Sequence, residues 1–247
     1  MDHRKIMAGG IFLLLFLTGC NNTAVFDYNA ALGTMGVFRE KGAAQKTVAV
    51  IPFLDQRAVN QPGVVPLDDT NCFFWGFCPL VYAGFTEKEE PEKSDRFVTL
   101  RRFHFDPPND LANAAFLSLE NSNLFKKVTK ACDRAQASGA DYIWRGKIMG
   151  TGYSGKIYSY LITYFLSPAL WIIGFPSGSS TCRLGVAFEL VRSTDGKVVW
   201  SYNYSGEDYI FHWIYSRIGQ DTSLYPRLMK QAMNAALSNL AEKMPAL

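Results

Sequence analysis

Thiols, imidazoles and carboxylates are the side chains of this chain that could do chemistry, and they are few enough to weigh singly. Five cysteines stand at Cys20, Cys72, Cys78, Cys132 and Cys182. Beyond residue 19 the only histidines are His104 and His212, and no Cys-x-x-Cys pair occurs, so neither a metal site nor a cofactor is expected. Each histidine stands alone among aromatic residues and reads as packed or half-exposed rather than as a base. Gly152-Tyr153-Ser154-Gly155 is not a nucleophile elbow, which needs glycine two residues to each side of the serine. Asp55 follows the first strand-like run and Glu207-Asp208 the last; such carboxylates are more often caps or solvated groups than acid–base pairs. No catalytic residue is assigned.

Cys20 is different. A basic start with Arg4 and Lys5 leads into the apolar run Ile11-Phe12-Leu13-Leu14-Leu15-Phe16, which Leu17-Thr18-Gly19-Cys20 closes. A charged beginning, an apolar middle and small residues at the cut make a secretory signal. Leu-Thr-Gly-Cys fits the bacterial lipobox, and the whole segment resembles a lipoprotein signal peptide. The resemblance implies that residues 1–19 are removed, that the thiol of Cys20 takes the lipid (palmitate among its acyl chains), and that the protein is held at a membrane through it. Aspartate after the lipidated cysteine tends to retain enteric lipoproteins in the inner membrane. Asn21 is compatible instead with the outer membrane, on its periplasmic face. In that oxidising compartment the favoured disulfides are Cys72–Cys78 and Cys132–Cys182, with reduced, buried cysteines as the alternative.

Residues 20–46 read as a lipidated tether with some order near Val25-Phe26-Asp27-Tyr28, and residues 47–247 as a single periplasmic domain. The net charge is +3, and no basic cluster with interleaved aromatics occurs, so no nucleic-acid partner is expected. The aromatic residues concentrate in two insertions, at about 58–96 and 151–182. The first holds Phe73, Phe74, Trp75 and Phe77 between Cys72 and Cys78, then a solvated charge run from Glu87 to Lys93. Those rings either fold back on the core or form a contact surface. The second contains nineteen residues without a charge, Ile157 to Phe175, among them Tyr160, Tyr164, Phe165 and Trp171. Three readings stay open for it: a transmembrane helix, a surface facing a membrane or a partner, and a helical hairpin buried against its own domain. The apolar body and polar tip of tyrosine and tryptophan suit the second.

These regions hang on a more regular frame. Thr47-Val48-Ala49-Val50-Ile51-Pro52-Phe53 predicts a strand buried on both faces, with Pro52 ending its ladder and Asp55-Gln56-Arg57 leaving the sheet. Phe97 to Phe105 predicts an edge strand. Asn109 or Asp110 then caps a helix to about Asn121, with Leu111, Ala114-Ala115, Leu117 and Leu119 as its stripe. Leu124 to Val128 begins another strand, and Cys132 to Ser138 a short helix or turn. Asp141 to Gly150 alternates, with Tyr142, Trp144, Gly146 and Ile148 on one face. Leu184–Val191 and Lys197–Tyr204 form a hairpin about Asp195-Gly196, read as a type I′ turn with both residues at positive φ. Asp208 to Ile218 is aromatic and ambiguous. A last helix follows Asp221-Thr222-Ser223, with Leu228, Ala232, Ala235-Ala236 and Leu240 facing the sheet.

The fold class is therefore α/β (α+β): a mixed β-sheet flanked by helices, with two aromatic or apolar insertions. The order resembles a periplasmic module shared by the TolB amino-terminal domain and the curli secretion-channel lipoprotein. The matching runs are Val48 to Phe53, Asn123 to Val128, Ala140 to Ile148 and Phe188 to Ser201. The resemblance implies work through protein contacts, often in rings, without catalysis. It points to an envelope protein partner and leaves homo-oligomerisation open. Two functions follow: a membrane-anchored, non-catalytic assembly or accessory component of the cell envelope, or a lipid-tethered periplasmic hydrolase or glycan-processing enzyme. The lack of an acid–base or nucleophile constellation in the sequence favours the first.

Overall fold

Side chains alternating on a period of two build the largest part of the molecule. The computed structural model describes residues 24–28, 45–57, 80–85, 103–158, 167–216 and 220–243. In chain order these form β1 (Ala24–Val25), β2 (Thr47–Val50), β3 (Leu54–Asp55), β4 (Leu80–Phe85), β5 (Phe103–His104), α1 (Pro107–Ser122), β6 (Lys127–Lys130) and β7 (Tyr142–Tyr158). Then come α2 (Ser167–Ile172), β8 (Gly178–Arg192), β9 (Val198–His212) and α3 (Leu224–Lys243). Seven of these strands make one mixed sheet in the order β6-β2-β7-β8-β9, with β3 and β4 also paired to β7. β2 runs parallel to both β6 and β7, whereas β7, β8 and β9 are successively antiparallel.

Pro52 does interrupt the first strand, which ends at Val50, but the chain does not leave the sheet there. Leu54-Asp55 resumes parallel pairing beside Lys147-Ile148 of β7. The hairpin of β8 and β9 is as expected; its turn is not. Only Gly196 has positive φ, at 71°, and the loop runs over 193–197. The Gly196 amide donates to the Arg192 carbonyl and the Arg192 amide to the Lys197 carbonyl, each at 2.9 Å. A loop of this length needs one left-handed residue where a two-residue I′ turn needs two.

α1 begins earlier than Asn109. Pro107-Pro108 occupy its first turn, where the missing amide costs nothing. The Asp106 amide donates to Asp110 Oδ2 at 2.9 Å, and Asn109 Nδ2 to Asp106 Oδ2 at 2.7 Å, so the two expected caps act back on residue 106. α1 and α3 share one core with the inner face of the sheet. Tyr142, Trp144 and Ile148 of β7 point into it, as the alternation requires. Trp144 sits 5.5 Å from Phe188 and 5.3 Å from Trp200, ring centre to ring centre. Gly146 holds the same face open for Phe53: a Cβ there would lie 2.4 Å from its ring. On the other face a small cluster forms among the described residues, from Ala49, Ala137, Ile143 and Val191.

Two segments set aside as peripheral belong to this body. Phe26 and Tyr28, read as tether, are buried; Phe26 packs edge-on against Phe105 and Tyr225. Leu80–Phe85, inside the first insertion, is a strand antiparallel to the far half of β7. A buried aromatic anchor and a ladder partner were what both segments lacked when read in isolation.

Candidate functional site

Most residues singled out for contact or covalent chemistry lie outside the described residues: Cys20, Cys72, Phe73, Phe74, Trp75, Phe77, Cys78, Tyr160, Tyr164 and Phe165. Trp171 is described; it is half-buried in α2, and its Nε1 donates to the Tyr158 carbonyl at 3.0 Å. Cys132 is exposed and Cys182 buried, and no disulfide joins them. The register gives the reason. Ala131 bonds Val50, which is level with Trp144, whereas Cys182 is level with Tyr153. Roughly 30 Å of strand separates those two levels, far beyond the reach of a disulfide. The carboxylates flagged by position are likewise apart, each answered by its own arginine. Asp55 pairs with the buried Arg57 at 2.7 Å, Glu207 with Arg183 at 2.8 Å and Asp208 with Arg227 at 2.7 Å.

His212 has a partner that the sequence did not suggest. Its Nε2 lies 2.8 Å from Ser180 Oγ, which also accepts the Tyr153 hydroxyl at 2.8 Å. A serine beside an imidazole is the geometry of a base-activated nucleophile. Ser180, however, is 4% exposed on the core face of β8, which leaves a substrate no approach. The three groups pin β7, β8 and β9 together. The run Gly150-Thr151-Gly152-Tyr153-Ser154-Gly155 has the glycine spacing of a dinucleotide loop, which works only at a turn from a strand into a helix. Here the whole run lies within β7 and pairs with β8.

What these strands do build is a surface. A β-bulge between Ile148 and Gly150 shifts the register of β7 by one residue, so that Thr151 and Tyr153, not their even-numbered neighbours, turn inward. β7 and β8 thereby continue past the expected strand ends, to Tyr158 and from Gly178. The second insertion is thus an extension of the sheet, carrying α2 in its described part. No described helix is long and apolar enough to cross a membrane. At this end Tyr209 and Phe211 of β9 and Trp213 just beyond it form a ladder, with ring centres 5.6 and 6.1 Å apart. Tyr215 continues the series, and its hydroxyl donates to the Ile172 carbonyl at the end of α2. Ile172, Ile173 and Phe175 are exposed beside it, Ile173 by 70% and Tyr215 by 68%. The signal was present in the ambiguous stretch: every second residue from 209 to 215 is aromatic.

The outer face is charged nearer the middle of the sheet. Glu189 accepts hydrogen bonds from Arg145 and Lys147 on the neighbouring strand. Burial works to raise the Glu189 pKa, but those hydrogen bonds and charges outweigh it and hold the carboxyl below its usual value. Between this cluster and the aromatic end lies a shallow open groove lined by Met149, Gly150, Arg183, Gly185, Ser205 and Glu207. Among the described residues the site is therefore a sheet face that neither α1 nor α3 covers, together with its apolar end, rather than a cleft.

No family model matches the chain, and no curated protein matches it. Among solved structures it is similar to protein XCC0632 of Xanthomonas campestris, of family DUF330, at 11% identity over 86% of this chain and 95% of that one, with a TM-score of 0.41. It is similar to a PelC dodecamer subunit of Paraburkholderia phytofirmans at 15% identity, 83% and 94% coverage and a TM-score of 0.37. Lipoprotein GNA1162 of Neisseria meningitidis gives 16% identity, 80% and 99% coverage and a TM-score of 0.23. Likenesses this distant carry no assignment of family or function to the chain, and the relation to TolB and the curli lipoprotein stays a resemblance of sequence.

Proposed function

We propose that this chain is a lipid-anchored, non-catalytic component of the bacterial cell envelope that works by contact with an envelope protein partner. The observation that carries the reading is Leu17-Thr18-Gly19-Cys20 at the end of the apolar run Ile11–Phe16. Small residues before the cysteine admit a signal peptidase, and the thiol is the acceptor for diacylglycerol. Several acyl chains on one residue make the anchoring stable without a membrane-spanning segment. Asn21 suits the periplasmic face of the outer membrane. The uncovered sheet face supports work by contact, since a face of this kind offers a partner area rather than an enclosed pocket. The Cys72–Cys78 loop with Phe73, Phe74, Trp75 and Phe77 is a second contact element of the same reading.

Cys20→Ser tests it. The variant should remain unprocessed and take up no label from a palmitate analogue. Normal labelling of the variant would overturn the lipoprotein reading.

A further inference from the structure

Ala24, the first described residue and four residues after Cys20, lies in β1 on the same side of the molecule as the aromatic end of the sheet. The path of the backbone shows it. Phe53 rests on Gly146 of β7, and its amide donates to the Pro108 carbonyl at 3.0 Å, so the start of α1 is level with Gly146. Phe105, three residues earlier, stacks on Tyr225, whose hydroxyl donates to the Gly152 carbonyl at 2.9 Å. From Phe105 to Pro108 the chain therefore runs in the direction from Gly152 toward Gly146; three residues span at most ~11 Å, and the Phe105 and Tyr225 side chains cover the rest of the distance to Gly152. β5, immediately upstream of Phe105, approaches α1 from the Gly152 side. β1 runs parallel to β5, and Phe26 touches the same Phe105 and Tyr225. Tyr28, two residues on, is near enough to Asp110 in α1 to feel its charge.

β1 thus starts on the side where β7 reaches Tyr158 and β9 reaches His212. Cys20 is four residues before Ala24, a reach of at most ~14 Å. That is about the length of strand from Glu207 to Phe211. A lipid at Cys20 is in this way confined to the neighbourhood of the exposed apolar end.

We propose, resting on the lipoprotein reading, that this end of the sheet sits on the surface of the bilayer that holds the lipid. Ile172, Ile173, Phe175, Tyr209, Phe211 and Tyr215 enter the headgroup layer. The chemistry fits a lipid surface. Isoleucine and phenylalanine give up apolar area to the acyl boundary, while tyrosine places a ring there and keeps its hydroxyl at the polar layer. Lys156 of β7 is level with Phe211, a cation suited to an anionic headgroup layer, and the carboxylates nearest this end among the described residues, Glu207 and Asp208, are paired with Arg183 and Arg227. Seated so, the strands stand away from the membrane, and the Arg145–Glu189–Lys147 cluster faces water. The apolar end sets the orientation and the lipid supplies the attachment.

The test uses the full chain made in a Gram-negative host, purified from membranes and placed in phosphatidylethanolamine–phosphatidylglycerol vesicles. Ile173→Trp puts a reporter at the apolar end, and Ser201→Trp puts one on the same face far from it. Lipids brominated near the headgroup should quench most of the emission that Ile173→Trp adds and none of that added by Ser201→Trp. Equal quenching of both, or of neither, overturns the proposal. So does an Ile173→Trp signal that bromolipid leaves alone but that a soluble quencher cannot reach, which would place a second copy or another protein on this end. Intact mass reads acylation separately. A chain without acyl groups sinks the lipoprotein reading and the docking with it, whereas an acylated chain with an unquenched Ile173→Trp sinks the docking alone.

Discussion

The two ends of one set of strands make opposite use of aromatic residues. At the level of Trp144, Phe188 and Trp200 the rings are buried, packed at a tilt against one another and covered by α3. At the level of Tyr209, Phe211 and Tyr215 they stand in solvent. Composition does not distinguish the two ends; position relative to the helices does. The buried end has α1 and α3 over its inner face, and its rings sit on the even positions that face them. At the other end the ladder of β9 stands on odd positions, on the face that neither helix covers. The lesson is that aromatic content marks a core only where a second layer exists to bury it.

The largest effects should come from breaking the buried end. Trp144→Ala should cost about 3–5 kcal/mol of unfolding free energy, from lost burial plus the cavity left behind. Phe26→Ala should cost nearly as much, about 3 kcal/mol. A denaturation midpoint unmoved by Phe26→Ala would return that segment to the tether. Gly146→Ala should cost about 1–3 kcal/mol, because Phe53 must be displaced to admit the methyl group. Denaturant titration of each variant reads these values.

Smaller effects belong to the outer face. Glu189 and Asp141 both have pKa values lowered in the folded state, Asp141 first by the Thr47 amide it accepts at 2.8 Å and then by the Thr47 hydroxyl. A lowered folded pKa means stability that is present above the unfolded carboxylate pKa and lost as pH falls through the folded one. Stability should therefore decline below the ordinary carboxylate range, and Glu189→Gln should flatten part of that decline. The same substitution at neutral pH should cost no more than about 1 kcal/mol, since Arg145 and Lys147 are partly solvated. At the foot of the scale, Ile173→Ser should leave stability within about 0.5 kcal/mol. A large loss there would show that the apolar end is covered in the folded chain and would erase the contrast between the two ends.

Much of the frame was legible because its signals are local. The alternation around Trp144, the stripe Leu228–Ala232–Ala236–Leu240 and the Asp195-Gly196 hairpin each report a period or a turn within a few residues of themselves. The errors came where the deciding residue was distant. Nothing near Phe26 announces Phe105 and Tyr225. Nothing near Leu80 announces the far half of β7. The bulge at Ile148–Gly150 converts an alternation that stops into a strand that continues with its faces exchanged, and a reading by strict period ends there. The pairing of Cys132 with Cys182 rested on each cysteine preceding a strand in an oxidising compartment, and register places the two at different levels of the sheet.

What the sequence determined by itself is the set of periods that make each strand and helix, together with the run Leu17-Thr18-Gly19-Cys20 on which the lipoprotein proposal rests, a local signal that needs no fold to be read. Tertiary structure alone decided which apolar residues are core and which are surface. Burial depends on what lies across from a side chain, and for this sheet α1 and α3 lie on one face. The same structure decided that Ser180 and His212 pin strands rather than do chemistry, because a hydroxyl facing a packed core is closed to any substrate.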